Sequence, residues 1–452
     1  MRGGGRRSCL GLGPSGLRPG PDTQDARPKT QDPIRLAICH FQLTICNPTP
    51  TAVYPRRTPL SEIVLKPRSA GPLVRRHPWV LDSAIQRIEG TPADGDVVDL
   101  VSSRGEFVAR GVFNSRSRIH VRLYTWEPDE KLDEAFWHRK LQAAWALRRR
   151  LGYDDPQQAA RMVFSEGDGL SGLVVDRYGQ FLVVQPTALA MAVRLAELLP
   201  MLVDLARPEG ILLRTERDIV RAEGLEAPPG LRWGRLPEGP VLVRDHGIQY
   251  AVDLAGGQKT GLYLDQRENR PAAAAYFRGS RVLDVFCYTG GFALAAAAGG
   301  AREVLGIDGS RRAVAEAQAN AQRNALENVR FEAGEAFAAL AGLGAAGQRF
   351  DGVVLDPPRF ARSRAGVPEA LRAYHRLNRL ALGLIVPGGI LVTCSCSGHV
   401  GRQDFFRMLQ GVARQGRRDL QVLESRGAAP DHPVAIACPE TEYLKCCICR
   451  VG

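Results

Sequence analysis

The chain predicts an α/β protein: a doubly wound, mostly parallel-sheet domain in its second half, preceded by a small all-β module and a small α+β domain. Three observations carry this. From residue 281 onward apolar, β-branched runs alternate with helical segments, the strands falling at 281–285, 303–307, 328–332, 351–355, 389–395, 420–424 and 443–449. The first of these strands runs into Val282-Leu-Asp-Val-Phe-Cys-Tyr-Thr-Gly-Gly-Phe292, where a glycine pair turns the chain into an alanine-rich helix. Glycine lets a backbone approach a ligand closely because no Cβ intervenes. Third, residues 63–124 hold short strands separated by Gly, Asp and Ser turns.

A chain of 452 residues is too long for one ordinary core and calls for two to four domains. The formal net charge is +12, which suggests a polyanionic partner. Residues 1–60 carry nine basic and three acidic side chains, so half of that excess (9 − 3 = 6) lies in a Gly-, Pro- and Arg-rich leader. The leader, 1–62, reads as disordered or as an over-long gene start, with the folded protein beginning at Ile63. Ten cysteines in a chain this long make no disulfide framework and read as reduced thiols of a cytoplasmic protein. No apolar run reaches the ~18 residues of a membrane span.

In order, 63–130 form the all-β module, with strands at Ile63, Val97, Phe107 and Ile119. Arg75-Arg-His-Pro-Trp79 lies on an insertion between strands, where cations and an aromatic suit phosphate contact and base stacking. A solvated helix start with Trp79 in the core is the equal alternative. The α+β domain, 131–250, opens with a helix from Leu132 to Leu151 whose inward positions are Leu141, Trp145 and Leu147. A hairpin turning at Arg177–Gln180, a helix from Met191 to Leu205, a strand at Ile211 and a second hairpin, Val241–Val252, follow. The remaining 251–452 make the doubly wound domain.

Ligands of open α/β sheets bind beyond the carboxyl ends of the strands, where strand order reverses. Asp308 ends the second strand about 24 residues after Asp284, the placement of an acid that grips a ribose diol. The dinucleotide fingerprint G-x-G-x-x-G is absent; Asp284-x-Phe286 with Gly290-Gly291 is more similar to the motif that holds S-adenosylmethionine (SAM). Glu335, after the third strand, suits either an adenine amino group or a helix N-terminus. Asp356-Pro-Pro-Arg359 ends the fourth strand, with two prolines stiffening the loop. Cys394 and Cys396 end the fifth and point to one side of an ideal strand. Only Cys396 sits at its very tip, so it is the favoured nucleophile, although buried cysteines are more often plain core residues. Zinc ligation by Cys394, Cys396, Cys446 and Cys449 matches known spacings poorly, and no metal is expected.

Taken together, these residues resemble the class I SAM-dependent rRNA methyltransferases that carry an N-terminal PUA domain, the 23S rRNA cytosine-C5 family. The resemblance runs from Ile63 to Arg450. It rests on Arg76-His-Pro-Trp79, Glu166-Gly-Asp-Gly-Leu170, Gln258-Lys-Thr-Gly261, Tyr263-Leu-Asp-Gln-Arg267, Tyr288-Thr-Gly-Gly-Phe292, Asp356-Pro-Pro, Ser395-Cys-Ser397 and Asp431-His-Pro-Val434. It implies a PUA barrel, a Rossmann-like catalytic domain, and large-subunit rRNA as partner, with a homodimer left open. It further implies Cys396 as the thiol that attacks cytosine C6 and Asp356 at N3 and the 4-amino group. SAM would lie against Gln266, Asp284, Phe286, Tyr288, Gly290, Gly291, Asp308 and Glu335. Arg75, Arg76, Trp79, Lys259 and Arg267 would meet RNA. A second thiol in the fourth-strand loop, found in another branch of RNA cytosine-C5 methyltransferases, is replaced here by Pro358 and Arg359. The alternatives are an exocyclic-amine methyltransferase, which would want Asn-Pro-Pro-Phe/Tyr at 356–359, and a non-catalytic ribosome assembly factor.

Overall fold

The structure is a computed structural model and describes residues 60–254 and 262–452; the leader up to residue 59 and Lys259 lie outside the described residues. The first module is a six-stranded sheet: β1 (Glu62–Leu65), β2 (Trp79–Leu81), β3 (Ile85–Glu89), β4 (Val97–Val101), β5 (Phe107–Phe113) and β6 (Ile119–Thr125), with the short helix α1 (Gly71–Val74) between β1 and β2. Spatial order is β2-β6-β5-β4-β1-β3, all antiparallel except β1 on β4. Alternate residues Ile63, Leu65, Val98, Leu100, Val121 and Leu123 turn inward to make its core. Trp79 opens the edge strand β2 rather than lying on an insertion.

The middle domain packs α2 (Glu134–Arg150) and α4 (Leu195–Ala206) on a second sheet. Asp133 caps α2 by accepting from Phe136 N. The strands are β7 (Ala159–Phe164), β8 (Leu173–Tyr178), β9 (Phe181–Pro186), β10 (Gly210–Leu213) and β11 (Gly230–Gly234), with α3 (Leu189–Ala192) and α5 (Arg217–Glu223) beside them. Leu141 and Trp145 are buried as expected, but Leu147 is only half-buried. The deepest polar residue of that helix is Arg148, held by Arg161 O, Asp168 Oδ1 and Asp431 O at 2.6–2.7 Å.

The hairpin β12 (Val241–Asp245) and β13 (Ile248–Val252) joins the middle domain to the third, sharing one core with Tyr178, Phe181 and Val183 of the former. Val243, Ile248, Tyr250 and Val252 share a core with the helix and strands that follow, and Asn320 and Asn324 hydrogen-bond its free edge. It also covers one side of α7 (Gly291–Ala298), which is why that helix is apolar all round. The third domain runs α6 (Asn269–Ala274), β14 (Arg281–Val285), α7, β15 (Glu303–Asp308), α8 (Arg311–Arg323), β16 (Val329–Ala333), α9 (Ala336–Ala345), β17 (Phe350–Leu355), α10 (Val367–Leu382), β18 (Ile385–Ser395), α11 (Arg402–Gly416), β19 (Leu420–Arg426) and β20 (Lys445–Val451). Sheet order is β16-β15-β14-β17-β18-β20-β19, parallel but for β20. The order reverses between β14 and β17, so a crevice opens at their carboxyl ends.

Candidate active site

At the tip of β14 the chain bends through conformations that ordinary residues avoid. Phe286 (φ 66°) and Tyr288 (φ 50°) are left-handed although neither is glycine. Such strain persists only where the surroundings over-determine it, and it clusters at binding sites. Here Cys287 N is held by Ile307 O at 3.0 Å and Tyr288 N by Asp308 Oδ2 at 2.9 Å, which locks the turn to the end of β15. Gly290 (φ 92°) closes it, and a Cβ there would press on Phe331 and Leu294 at 3.0–3.1 Å. At Gly291 a Cβ would come within 2.7 Å of Arg270 Nε. Gly290 is therefore required by φ, with a tight fit besides, and Gly291 by the room that the ion-paired Arg270 leaves.

Asp284 lies beneath this turn, almost fully buried. Its Oδ2 accepts from Ala293 N at the start of α7, while Oδ1 finds no partner among the described residues. Burial, then the charge of Asp356, pushes its pKa well up. Asp356 itself is raised to about 7, by burial first and by Asp265 second. Its Oδ1 accepts from Gln266 Nε2 at 3.0 Å. Of the cations that ease this crowd, Arg270 is already paired with Asp245 at 2.8 Å and Arg359 is exposed at the rim. A crevice lined by Asp284, Asp356 and Asp265 in this way favours a positively charged guest.

The tip of β18 is built differently. Ser395 and Ser397 turn inward to the buried Tyr374 hydroxyl at 3.0 and 3.1 Å, and Ser397 Oγ also accepts from Ala361 N. Between them Cys396 faces the other way, half-buried, with Sγ 3.8 Å from Pro357 O in the loop that carries Asp356. Burial, then Asp356 and Asp265, pushes its pKa up to about 12. Cys394 is sealed in the core directly opposite Cys446 of β20, with its pKa raised far above the usual thiol value by burial and by Cys446. The two thiols thus share a side of the strand but not a solvent.

Behind Cys396 stands a residue the sequence reading missed. Lys445 is buried in β20, and its Nζ donates to Ser397 O at 2.7 Å and Tyr443 O at 2.8 Å. Desolvation pulls its pKa to about 8, with Cys396 opposing that fall. The available signal was a lone lysine inside a strand of cysteines, in which a charged residue needs partners. From the same C-terminal stretch the Tyr443 hydroxyl donates to Asp265 Oδ2 at 2.6 Å.

The remaining expected site residues are divided between the crevice and other duties. Asp308 lies at the crevice edge, accepting from Tyr288 N and Ser310 N, with lone pairs remaining. Glu335 is exposed and both oxygens cap α9, accepting from Phe337 N and Ala338 N, which is the helix-terminus reading rather than the adenine one. Arg267 corrects the expectation of an RNA contact: its guanidinium is buried over the Tyr153 ring and donates to Ala159 O and Gln158 Oε1, which binds the middle domain to the third. Trp79 is also committed, its Nε1 donating to Glu166 Oε1 at 2.9 Å. Arg75 and Arg76 remain exposed, Arg76 with a long 3.5 Å contact to Glu127.

Among the described residues one group could in principle ligate a metal, His77, Cys438 and Glu440. Trp79 N donates to His77 Nδ1 at 3.2 Å, so the neutral ring carries its proton on Nε2. That nitrogen, 3.3 Å from Glu440 Oε2, then donates a hydrogen bond and has no lone pair for a metal.

Comparison with known proteins gives this geometry a family. Residues 236–440 match the S-adenosylmethionine-dependent methyltransferase family and residues 63–126 a PUA-like domain. The chain is 40% identical over 382 residues to a ribosomal RNA large subunit methyltransferase I of Aeromonas hydrophila subsp. hydrophila, covering 84% of this chain and 96% of that one. With the protein of the same name from Escherichia coli O139:H28 it shares 38% over 381 residues, again 84% and 96%. In fold it is similar to SMU.776, a methyltransferase complexed with SAH (TM-score 0.75, 21% identity, 86% of this chain and 99% of that one). A SAM-dependent methyltransferase from Streptococcus mutans aligns at TM-score 0.74 and 20% identity, again over 86% and 99%. The Rossmann-like domain that follows the PUA-like module is thus a SAM-dependent methyltransferase domain, and the chain belongs to the ribosomal RNA large subunit methyltransferase I family.

Proposed function

We propose that this enzyme methylates C5 of a cytosine in large-subunit rRNA, with Cys396 as covalent nucleophile. The observation that carries the reading is the contrast at the tip of β18: Cys394 is sealed against Cys446, whereas Cys396 opens beside Pro357 in the crevice that holds Asp356. SAM, when bound, supplies a methyl group made electrophilic by its positive sulfur. The residues fit such a guest. The buried acids favour a cation, Asp284 Oδ1 is an unpartnered acceptor among the described residues, and the two glycines let the turn above Asp284 close against Phe331, Leu294 and Arg270. Asp284, Gly290 and Gly291 would hold its methionine end, Phe286 and Tyr288 would wall it, and Asp308 would take the ribose. Gln266 positions Asp356.

Cytosine C5 is a weak nucleophile until something adds at C6. Cys396 sulfur adds there, and C5 gains the electron density to attack a methyl group. Asp356, poised near neutrality at about 7, donates its proton toward N3 as negative charge develops on the ring. The apo thiol, pushed up to about 12, gives up its proton to water once charge in the crevice is balanced. Ser395, Ser397, Tyr374 and Lys445 keep the sulfur aimed. Large-subunit RNA would meet Arg75 and Arg76 on the PUA-like module and the exposed arginines of the loop after Asp356, Arg359, Arg362 and Arg364.

Incubation with SAM and rRNA containing 5-fluorocytosine tests this. Fluorine at C5 cannot leave as a proton would, so a protein–RNA adduct should survive denaturation in the wild type and in Cys394→Ala, and vanish in Cys396→Ala. No adduct with the wild type, or an unchanged one in Cys396→Ala, defeats the reading.

A further inference from the structure

The proposed reaction leaves one step without a residue. After methyl transfer C5 carries both the methyl group and its original hydrogen, and the ring is still bonded to sulfur at C6. A base must take that hydrogen before the product can leave. Asp356 is assigned to N3, and the loop behind it, Pro357-Pro-Arg359, offers no base. Burial pushes the Tyr263 and Tyr443 hydroxyls up, which makes both hard to ionise and so unsuited to receive a proton, and Lys445 Nζ is committed to two carbonyls.

We infer that Asp265 is this base: its Oδ1 takes the C5 proton, and Tyr443 holds the carboxylate in position. The inference rests on the cytosine-C5 reading above. Four observations support it. Asp265 Oδ1 is buried and has no hydrogen-bond partner among the described residues, whereas Oδ2 accepts from the Tyr443 hydroxyl at 2.6 Å. One oxygen is thus anchored and the other left to act. The backbone is fixed too, since Asp265 O accepts from Ala429 N at 2.9 Å and the next residue, Gln266, is bonded to Asp356. Finally, the Asp265 charge is felt at both reacting neighbours, raising Asp356 and Cys396.

The step balances. Asp265 Oδ1 forms a bond to the C5 hydrogen, and the C5–H electron pair becomes the C5–C6 double bond. The C6–S bond breaks with its electrons returning to Cys396 as thiolate, and N3 returns its proton to Asp356. Asp265 then releases the proton to water, one per methyl group transferred. Its neighbours divide the work, with Asp356 on the ring nitrogen and Asp265 on the ring carbon.

The test uses the full chain, SAM and an rRNA fragment tritiated at cytosine C5. Wild-type enzyme should release one tritium for each methyl incorporated. Asp265→Asn keeps the size and an acceptor for Tyr443 but cannot take a proton. It should incorporate at most one methyl per enzyme, release tritium about 10²- to 10⁴-fold more slowly, and remain joined to unfluorinated RNA on a denaturing gel. Tyr443→Phe, which keeps the carboxylate but loosens it, should slow tritium release without slowing adduct formation, and it decides the matter if the first variant does not fold. Wild-type-like turnover by Asp265→Asn overturns the inference. So does loss of methyl transfer without a trapped adduct in a variant that still binds SAM and RNA. If the wild type releases no tritium at all, the cytosine-C5 reading itself falls, a result distinguishable from either.

Discussion

The tips of β14 and β18 face one crevice and are made by opposite means. At β14 the backbone does the shaping: two aromatic residues in left-handed conformations, a glycine pair, and main-chain bonds to β15. At β18 the backbone is ordinary, and side-chain hydroxyls and an ammonium hold the turn. On the proposed reading, the difference follows from what each tip must present. A guest recognised by main-chain groups needs a close, Cβ-free approach, whereas a thiol needs a fixed direction and a controlled charge. Backbone shaping should therefore tolerate almost no side-chain change at its glycines, and side-chain shaping should degrade by steps.

The severest break is Cys396→Ala, which should lower methyl transfer at least about 10⁴-fold while SAM binding persists. Cys394→Ala should retain activity and lose only the modest stability of a small buried side chain, as read by thermal denaturation and turnover. Next, Gly290→Ala should weaken SAM binding about tenfold in calorimetry, since a Cβ at φ 92° is strained by roughly 1–2 kcal/mol and meets Phe331 at 3.0 Å. SAM affinity as in the wild type would mean the β14 turn relaxes freely and the contrast is false.

Asp356→Asn sharpens the electrostatic half. The folded-state pKa, about 7, lies above the unfolded carboxylate value, so the protonated form favours folding. That contribution is complete below about pH 4 and disappears as pH rises through 7. The variant should thus exceed the wild type in stability at pH 8, by on the order of 2 kcal/mol after allowance for its partial exposure, with the gain fading toward pH 4. A melting-temperature difference that grows on acidification would contradict this. Smallest of all, Tyr374→Phe should cost about 1–2 kcal/mol by removing the hydroxyl between Ser395 and Ser397, and should slow turnover without changing SAM affinity.

Much of this was legible in the sequence because it is local. Alternation of strand and helix gave the seven-stranded sheet, and the glycine pair, Asp356 and the strand-end position of Cys396 mark the crevice. What escaped was long-range pairing, which no period encodes. Arg267 looked like a surface cation yet is roofed by Tyr153 from the middle domain, more than a hundred residues earlier. Trp79 suited a stacking platform and a core position equally; it donates to Glu166, and its strand begins where an insertion was expected. Lys445 drew no notice inside the strand at 443–449 yet supports the Cys396 turn. In each case the partner that folding brings to a polar residue decides its role, and that partner lies far off in the sequence.

The stretch from Cys438 to Lys445 touches both the first module and the crevice of the third domain. Glu440 meets His77 of the first module, Tyr443 grips Asp265, and Lys445 grips the carbonyl of Ser397. Cutting away the first module would therefore strip a support from the very segment that braces the reaction chamber. An isolated C-terminal half should be regarded as a weakened machine, and its sluggishness on RNA could not be credited to lost grip on the nucleic acid alone.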